Sequence, residues 1–309
     1  MLQAFTATER GLEPTPEPAS AAWVLVSDPE DADLARLREI GIPSSLLDHV
    51  RDPDERPRTE HVAGVVLIVL HFPFQQGPAA PIPFISLPLS IFLTASRVVT
   101  VTPRGGGLFK SLIEGDVEEL VNATHARFVL RLMWQLANEF LKSLRAINDA
   151  VEGLENALRQ ALRNEEVLGL LRYEKSLVYF RNALASNELV LQRLQKGGLL
   201  DWRPEDEDML EDVIIEVRQA REMVDIAQDI LSQMMDAFAS IVSNNLNAVM
   251  KFLTSVTIII SLPTLIASLY GMNVILPGAR DPRAFAWIMA VAVAVSGGLV
   301  AVFARKRWF

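Results

Sequence analysis

The apolar positions of this chain change their period partway along. Between residues 23 and 102 they come in short apolar or β-branched runs, at 23–26, 64–72, 84–93 and 97–102, and such runs predict strands. Short helices are expected near 31–40, 44–50 and 108–120, and Gly105-Gly106-Gly107 reads as a turn. From residue 125 the spacing becomes helical. One helix is expected over 125–162 and a second over 165–195, the latter stopped by Gly197-Gly198. A third opens at Glu205. Its apolar seam, in steps of 3 and 4, includes Leu210, Val217, Val224, Leu231 and Phe238 and ends at Ile241. More than four heptads of this kind describe a long packed helix with coiled-coil character. Only Pro263 interrupts the pattern before Leu269, so this stalk is expected to reach roughly 100 Å.

Two stretches near the end carry no charge at all, 19 residues at 252–270 and 21 at 284–304. As helices they measure roughly 28 and 32 Å, close to the ~30 Å of bilayer hydrocarbon. Arg305, Lys306 and Arg307, followed by Trp308-Phe309, make a basic and aromatic anchor of the cytoplasmic kind. Two spans then return both termini to the cytoplasm, with the segment 274–283 outside. The first residues, MLQAFTATERGLEPTPEPAS, have neither a basic start nor an apolar run. No signal peptide is expected, and residues 1–20 read as a loose leader.

The first span differs from the second. Its polar residues are Thr254, Thr257, Ser261, Thr264 and Ser268, spaced 3, 4, 3 and 4, which makes one hydroxyl stripe on an otherwise apolar helix. Any one of them has a plainer use, bonding back to its own backbone or packing helices together. Five in register point to a face turned toward water or ions. Two helices do not enclose a passage, so several copies must surround an axis. The second span, rich in Ala, Val and Gly, then lies outside. Lys251 sits at the inner end of the first span, where snorkelling to the interface is its ordinary role; with Arg305, Lys306 and Arg307 it forms a basic collar. The span ends in Tyr270-Gly271-Met272-Asn273, placing a carboxamide at the membrane exit.

Composition adds limits. The net charge is −9 over 309 residues, with no cysteine and four histidines, His49, His61, His71 and His125, in no metal-ligand spacing. Disulfides and thiolate metal sites are excluded, and no nucleic-acid partner is expected. Glu152, Glu155, Glu165 and Glu166 gather where the first two long helices meet. Glu205-Asp206-Glu207-Asp208 opens the stalk, where acids favour the helix dipole; a weak divalent-cation site is the alternative. With no P-loop, dinucleotide fingerprint or nucleophile–base–acid set, an enzyme has nothing to rest on.

Taken together, the order of α/β part, stalk, Tyr270-Gly271-Met272-Asn273, second span and basic end resembles the CorA family of divalent-cation channels. The resemblance covers nearly the whole chain and is strongest from Asn247-Ala248-Val249-Met250-Lys251 to Asn273. Pro43-Ser44-Ser45-Leu46-Leu47-Asp48 and Glu55-Arg56-Pro57-Arg58 also look like that family's N-terminal domain. It implies an α+β cytoplasmic domain, a coiled-coil-like stalk helix and two transmembrane helices, assembled as a funnel-shaped homopentamer in the inner membrane. The expected divisions are 1–20, 21–122, 123–204, 205–270, 271–283, 284–304 and 305–309. Gly271, Met272 and Asn273 become the selectivity filter, Asn247 an inner polar ring, Met250 an apolar constriction, and the hydroxyl stripe the pore lining. The implied cargo is hydrated Mg²⁺, with Co²⁺, Ni²⁺ and Zn²⁺ as alternatives, and passage is passive and gated by cytoplasmic divalent cations. A zinc transporter of the same build and a non-conducting scaffold are the competing functions.

Asp212 aligns with a regulatory acid of the family, but its expected partner segment, FQQGPAAPIP at 74–83, contains no acid. The outer loop carries Leu276-Pro277-Gly278 instead of an acidic sequence, with Asp281 its only acid. Ser261 replaces a bulky pore residue, which implies a wider passage there.

Overall fold

The computed structural model describes residues 1–8, 11–105, 109, 125–160, 164–196, 198–200, 202–273, 282–306 and 308. The chain divides into two compact units, Met1–Gln233 and Met234–Phe309.

The first unit is built on a seven-stranded sheet. Its strands are β1 (Leu2–Thr8), β2 (Gly11–Pro14), β3 (Trp23–Ser27), β4 (Arg58–Val62), β5 (Val65–Gln75), β6 (Phe84–Leu93) and β7 (Val98–Thr102), in the order β2-β1-β3-β7-β6-β5-β4. The β3–β7 pair is parallel and the others are antiparallel. Side chains alternate between the two faces. Val24, Val26, Val69 and Val99 point into one core with Leu34 and Leu37 of α1 (Asp31–Glu39) and Leu46 and Leu47 of α2 (Ser44–Leu47). The opposite face carries Trp23, whose indole N–H donates to Thr100 Oγ1 at 3.0 Å. Its ring lies 5.9 Å from Phe109 and 5.4 Å from Phe128. That side is covered by α3 (His125–Gln160) and α4 (Asn164–Lys196), which pack on β5 and β6.

Residues 1–20 are not a loose leader. Gln3↔Leu25 and Ala4↔Val24 register β1 on β3, and β2 pairs with β1. The proline- and glutamate-rich sequence hides this because β2 is an edge strand with one neighbour, where polar residues and proline are tolerated. The same reasoning applies to β4, RTEHV, an edge strand that a search for apolar runs passes over. The helix expected at 108–120 falls outside the described residues, apart from buried Phe109.

Helix α5 runs from Pro204 to Tyr270, 67 residues, and contributes to both units. Proline at its first position needs no intrahelical N–H partner. In the first unit Leu210, Val213, Val217, Ala220, Val224 and Leu231 are buried, as the seam requires. The seam stops short of its expected end: Phe238 is buried but Ile241 is 44% exposed. Helix α6 (Ala284–Arg305) completes the second unit. The final part of α5 and the whole of α6 are long and apolar enough to cross a membrane.

Candidate functional site

In the second unit the shielded side of α5 is marked by buried Ser255 and half-buried Val256, Ile259, Leu262, Pro263 and Ile266. On α6 the corresponding positions are Ile288, Ala292, Ser296, Leu299 and Phe303. A groove of about 620 Å³ lies between the helices, lined among others by Pro263, Ile266, Ile288, Ala292 and Ser296. Thr254, Thr257, Ser261, Thr264 and Ser268 are exposed or, at Thr264's neighbour Pro263, bordered by a half-buried position. At about 100° per residue their mean direction falls roughly 180° from the shielded side. Asn247 and Met250 share that sector and are exposed as well. Ser261, Thr264 and Ser268 line a shallow depression of about 580 Å³ with Ile258, Leu262 and Leu265. Thr264 also borders the groove between the two helices; the rest of the stripe faces away from α6.

The plainer use of these hydroxyls is present and does not remove them from the surface. Thr257 Oγ1 donates to the Leu253 carbonyl at 2.8 Å and Thr264 Oγ1 to the Ile260 carbonyl at 2.9 Å, the backbone bond open to Ser and Thr in any helix. Both residues remain exposed nonetheless. Pro263 has no N–H to offer the Ile259 carbonyl; it sits inside α5 without ending it.

At the exit end the helix tightens before it stops. The Gly271 N–H donates to Ala267 O at 2.9 Å and Ser268 O at 3.2 Å, and the Met272 N–H to Leu269 O at 3.4 Å. A Cβ on Gly271 would stand 3.4 Å from the Ala267 oxygen, an ordinary contact distance. Gly271, Met272 and Asn273 are exposed. Residues 274–281, with Leu276-Pro277-Gly278 and Asp281, lie outside the described residues. At the other end Lys251, Arg305 and Lys306 are exposed, and Arg307 lies outside the described residues. Trp308 stacks on Phe303 with ring centres 5.1 Å apart.

The acidic run that opens α5 has structural employment. The Arg203 N–H donates to Asp206 Oδ2 at 3.2 Å, as in the returning half of a capping box. Arg127 of α3 approaches Asp206 at 3.5 Å and Glu205 at 3.6 Å. Asp212 is exposed. Among the described residues no group of three or more His, Asp or Glu side chains is arranged to hold a metal ion.

Sequence reasoning missed the polar ties inside the first unit. Asn187 of α4 accepts from the His71 N–H and donates to the His71 carbonyl, both at 2.8 Å, so its carboxamide acts as one more strand residue beyond the end of β4. Buried Ser176 accepts from the Phe84 N–H at 3.1 Å. Buried Glu188 receives Arg218 at 3.3 Å and Arg221 at 2.6 Å, both from α5. His71 Nε2 lies 2.8 Å from the Glu55 carbonyl; since a carbonyl only accepts, that nitrogen carries the proton. Burial lowers the His71 pKa to about 4 against an opposing pull from Asp54.

A seven-stranded α/β unit, a 67-residue helix and two helices long and apolar enough to cross a membrane define a class of membrane protein with a large α/β domain. The family model for CorA-like Mg²⁺ transporter proteins matches residues 18–306, and the chain belongs to the CorA family. It is 29% identical over 297 residues to the cobalt/magnesium transport protein CorA of Methanocaldococcus jannaschii, covering 93% of this chain and 90% of that one. The protein of the same name from Thermotoga maritima is 25% identical, covering 96% of this chain and 85% of its own length. The complete structure of the CorA magnesium transporter from Methanocaldococcus jannaschii superposes with a TM-score of 0.86 at 25% identity, over 100% of this chain and 99% of the other. Members of this family are transporters, not enzymes.

Proposed function

We propose that copies of this chain, five by the family resemblance, surround an axis with the hydroxyl face of α5 turned inward, and admit hydrated Mg²⁺ or Co²⁺ down the membrane potential. The observation that carries this reading is the opposition of two faces on one helix: α6 shields one side of α5, and the polar stripe, apart from Thr264 at the groove's edge, occupies the other. A mere membrane anchor has no use for exposed hydroxyls at that spacing. The names of the relatives supply the two ions.

In this reading Asn273 hydrogen-bonds the waters of an arriving ion, and Gly271 and Met272 shape its turn. Mg²⁺ dehydrates reluctantly, so a ring of carboxamides selects it without stripping its shell. Thr254, Thr257, Ser261, Thr264 and Ser268 line the passage, Met250 narrows it, and Asn247 forms its inner polar ring. Lys251, Arg305, Lys306 and Arg307 hold the cytoplasmic interface and point away from the axis, because a positive ring on the axis would repel the cargo. Both termini are cytoplasmic and the membrane is the inner one. Asp212 is the candidate for feedback by cytoplasmic divalent cations, and the acid-free segment 74–83 makes that feedback weak. Ion flux into liposomes holding the full-length protein tests the proposal. Mg²⁺ or Co²⁺ entry driven by potential is expected. Zinc flux that needs a pH gradient, or no divalent flux at all, would overturn it.

A further inference from the structure

Two hydroxyls of the stripe have already committed their protons. Thr257 and Thr264 donate to the Leu253 and Ile260 carbonyls at 2.8 and 2.9 Å. A hydroxyl has one proton and two acceptor lone pairs, so each threonine offers its surroundings acceptor capacity only. Seven residues apart, the two lie within about 20° of one line and roughly 10 Å apart along α5. Both are exposed, Thr257 on the side away from α6 and Thr264 at the edge of the groove between the two helices. Ser255 supplies the internal contrast. It makes the same bond, to the Lys251 carbonyl at 2.7 Å, but is fully buried on the shielded side, where the bond only satisfies a hydroxyl cut off from water.

The water around a cation turns its oxygens inward and its hydrogens outward; around an anion the orientation is reversed. Resting on the axial passage proposed above, we infer that Thr257 and Thr264 form a two-rung ladder of fixed acceptors that favours ions whose hydration shell presents hydrogens. The specificity lies in the locked polarity of these two groups and not in hydroxyl content as such. An anion arriving with outward water oxygens meets no donor at either rung. A cation that keeps its shell is passed from one rung to the next by bonds its own waters donate.

The test is Mg²⁺ influx into liposomes holding the full-length protein. Thr257→Val and Thr264→Val keep the side-chain shape and remove the oxygen; Thr257→Ser and Thr264→Ser keep the oxygen and its bond to the helix. Each valine variant should lose about tenfold in influx, the worth of one hydrogen bond. Each serine variant should lose clearly less than its valine counterpart, and the control Ser255→Ala should stay within about twofold of wild type, with oligomer size unchanged throughout. Wild-type influx in both valine variants would overturn the ladder and leave the passage standing. Equal losses in the serine and valine variants would also overturn it, since the methyl group would then be what matters. Absence of divalent flux in the unmodified protein would remove the passage and the ladder together.

Discussion

Polar side chains are used in opposite ways in the two units. In the first, Trp23, Asn187, Ser176 and Glu188 reach groups distant in sequence, from 30 residues away for Glu188–Arg218 to 116 for Asn187–His71. In the membrane-spanning part of α5, Ser255, Thr257 and Thr264 reach only the carbonyl four residues earlier. The difference follows from what surrounds each group. A buried polar atom between packed elements must find its partner there or lose stability. A hydroxyl on a membrane helix is satisfied by that helix alone and needs no neighbour to fold. Polar groups of the first kind hold structure together. Those of the second kind leave a face free to meet something else.

The largest effect that sharpens this contrast is on transport. Asn273→Ala removes an exposed carboxamide that ties down no other element among the described residues, so Mg²⁺ uptake should fall to the level of protein-free liposomes while the oligomer survives. Wild-type uptake in that variant would show that the exit carboxamide is not the selecting group.

The next effect belongs to the first unit and should spare the chemistry of the passage. Asn187→Leu leaves the His71 N–H and carbonyl without their partners, and should destabilise the unit by about 3 kcal/mol. Glu188→Gln weakens the hold on Arg218 and Arg221. Its cost should be smaller, about 1 kcal/mol, because both arginines are partly exposed and screened by water. Denaturant titration of the full-length protein in detergent checks both. If Glu188→Gln cost more than Asn187→Leu, the ion pairs between α4 and α5 would outrank the sheet-edge bonds in holding the unit together.

What could be read from the sequence follows the same division. The hydroxyl stripe and the stalk seam are periodic along one helix, so spacing alone fixes which residues share a face; Thr254 through Ser268 share an exposed one, and Leu210 through Leu231 a buried one. The strands β5 and β6 were legible because both faces of each are largely covered and their apolar runs are long. Strands β1, β2 and β4 were not. Their identity depends on pairing, β1 with β3, β2 with β1 and β4 with β5, and not on their own composition. Asn187 and Glu188 looked like ordinary polar positions of α4, since nothing within the helix announces a strand end at His71 or two arginines on α5. The locked protons of Thr257 and Thr264 depend on side-chain rotamers, which spacing does not specify.

The smallest expected effect concerns pH, and it separates the two units again. His71 is held neutral: burial lowers its pKa from 6.5 to about 4, and its protonated Nε2 already donates to the Glu55 carbonyl. In the unfolded chain the same imidazole takes up a proton near 6.5. Below that value the unfolded state binds more protons than the folded one, so the contribution is whole above pH 6.5 and is lost progressively as pH falls toward 4. At pH 6 the loss is about 1 kcal/mol. A neutral replacement, His71→Gln, lacks this titration, so its stability relative to wild type should improve as pH drops from about 7.5 to about 5. The spanning helices contain no histidine, aspartate or glutamate between Phe252 and Tyr270 or between Ala284 and Ala304, and add nothing to that slope. Parallel pH dependences for the variant and the wild-type protein would mean that His71 takes up its proton at the same pH in the folded and unfolded chain, and that burial does not hold it neutral.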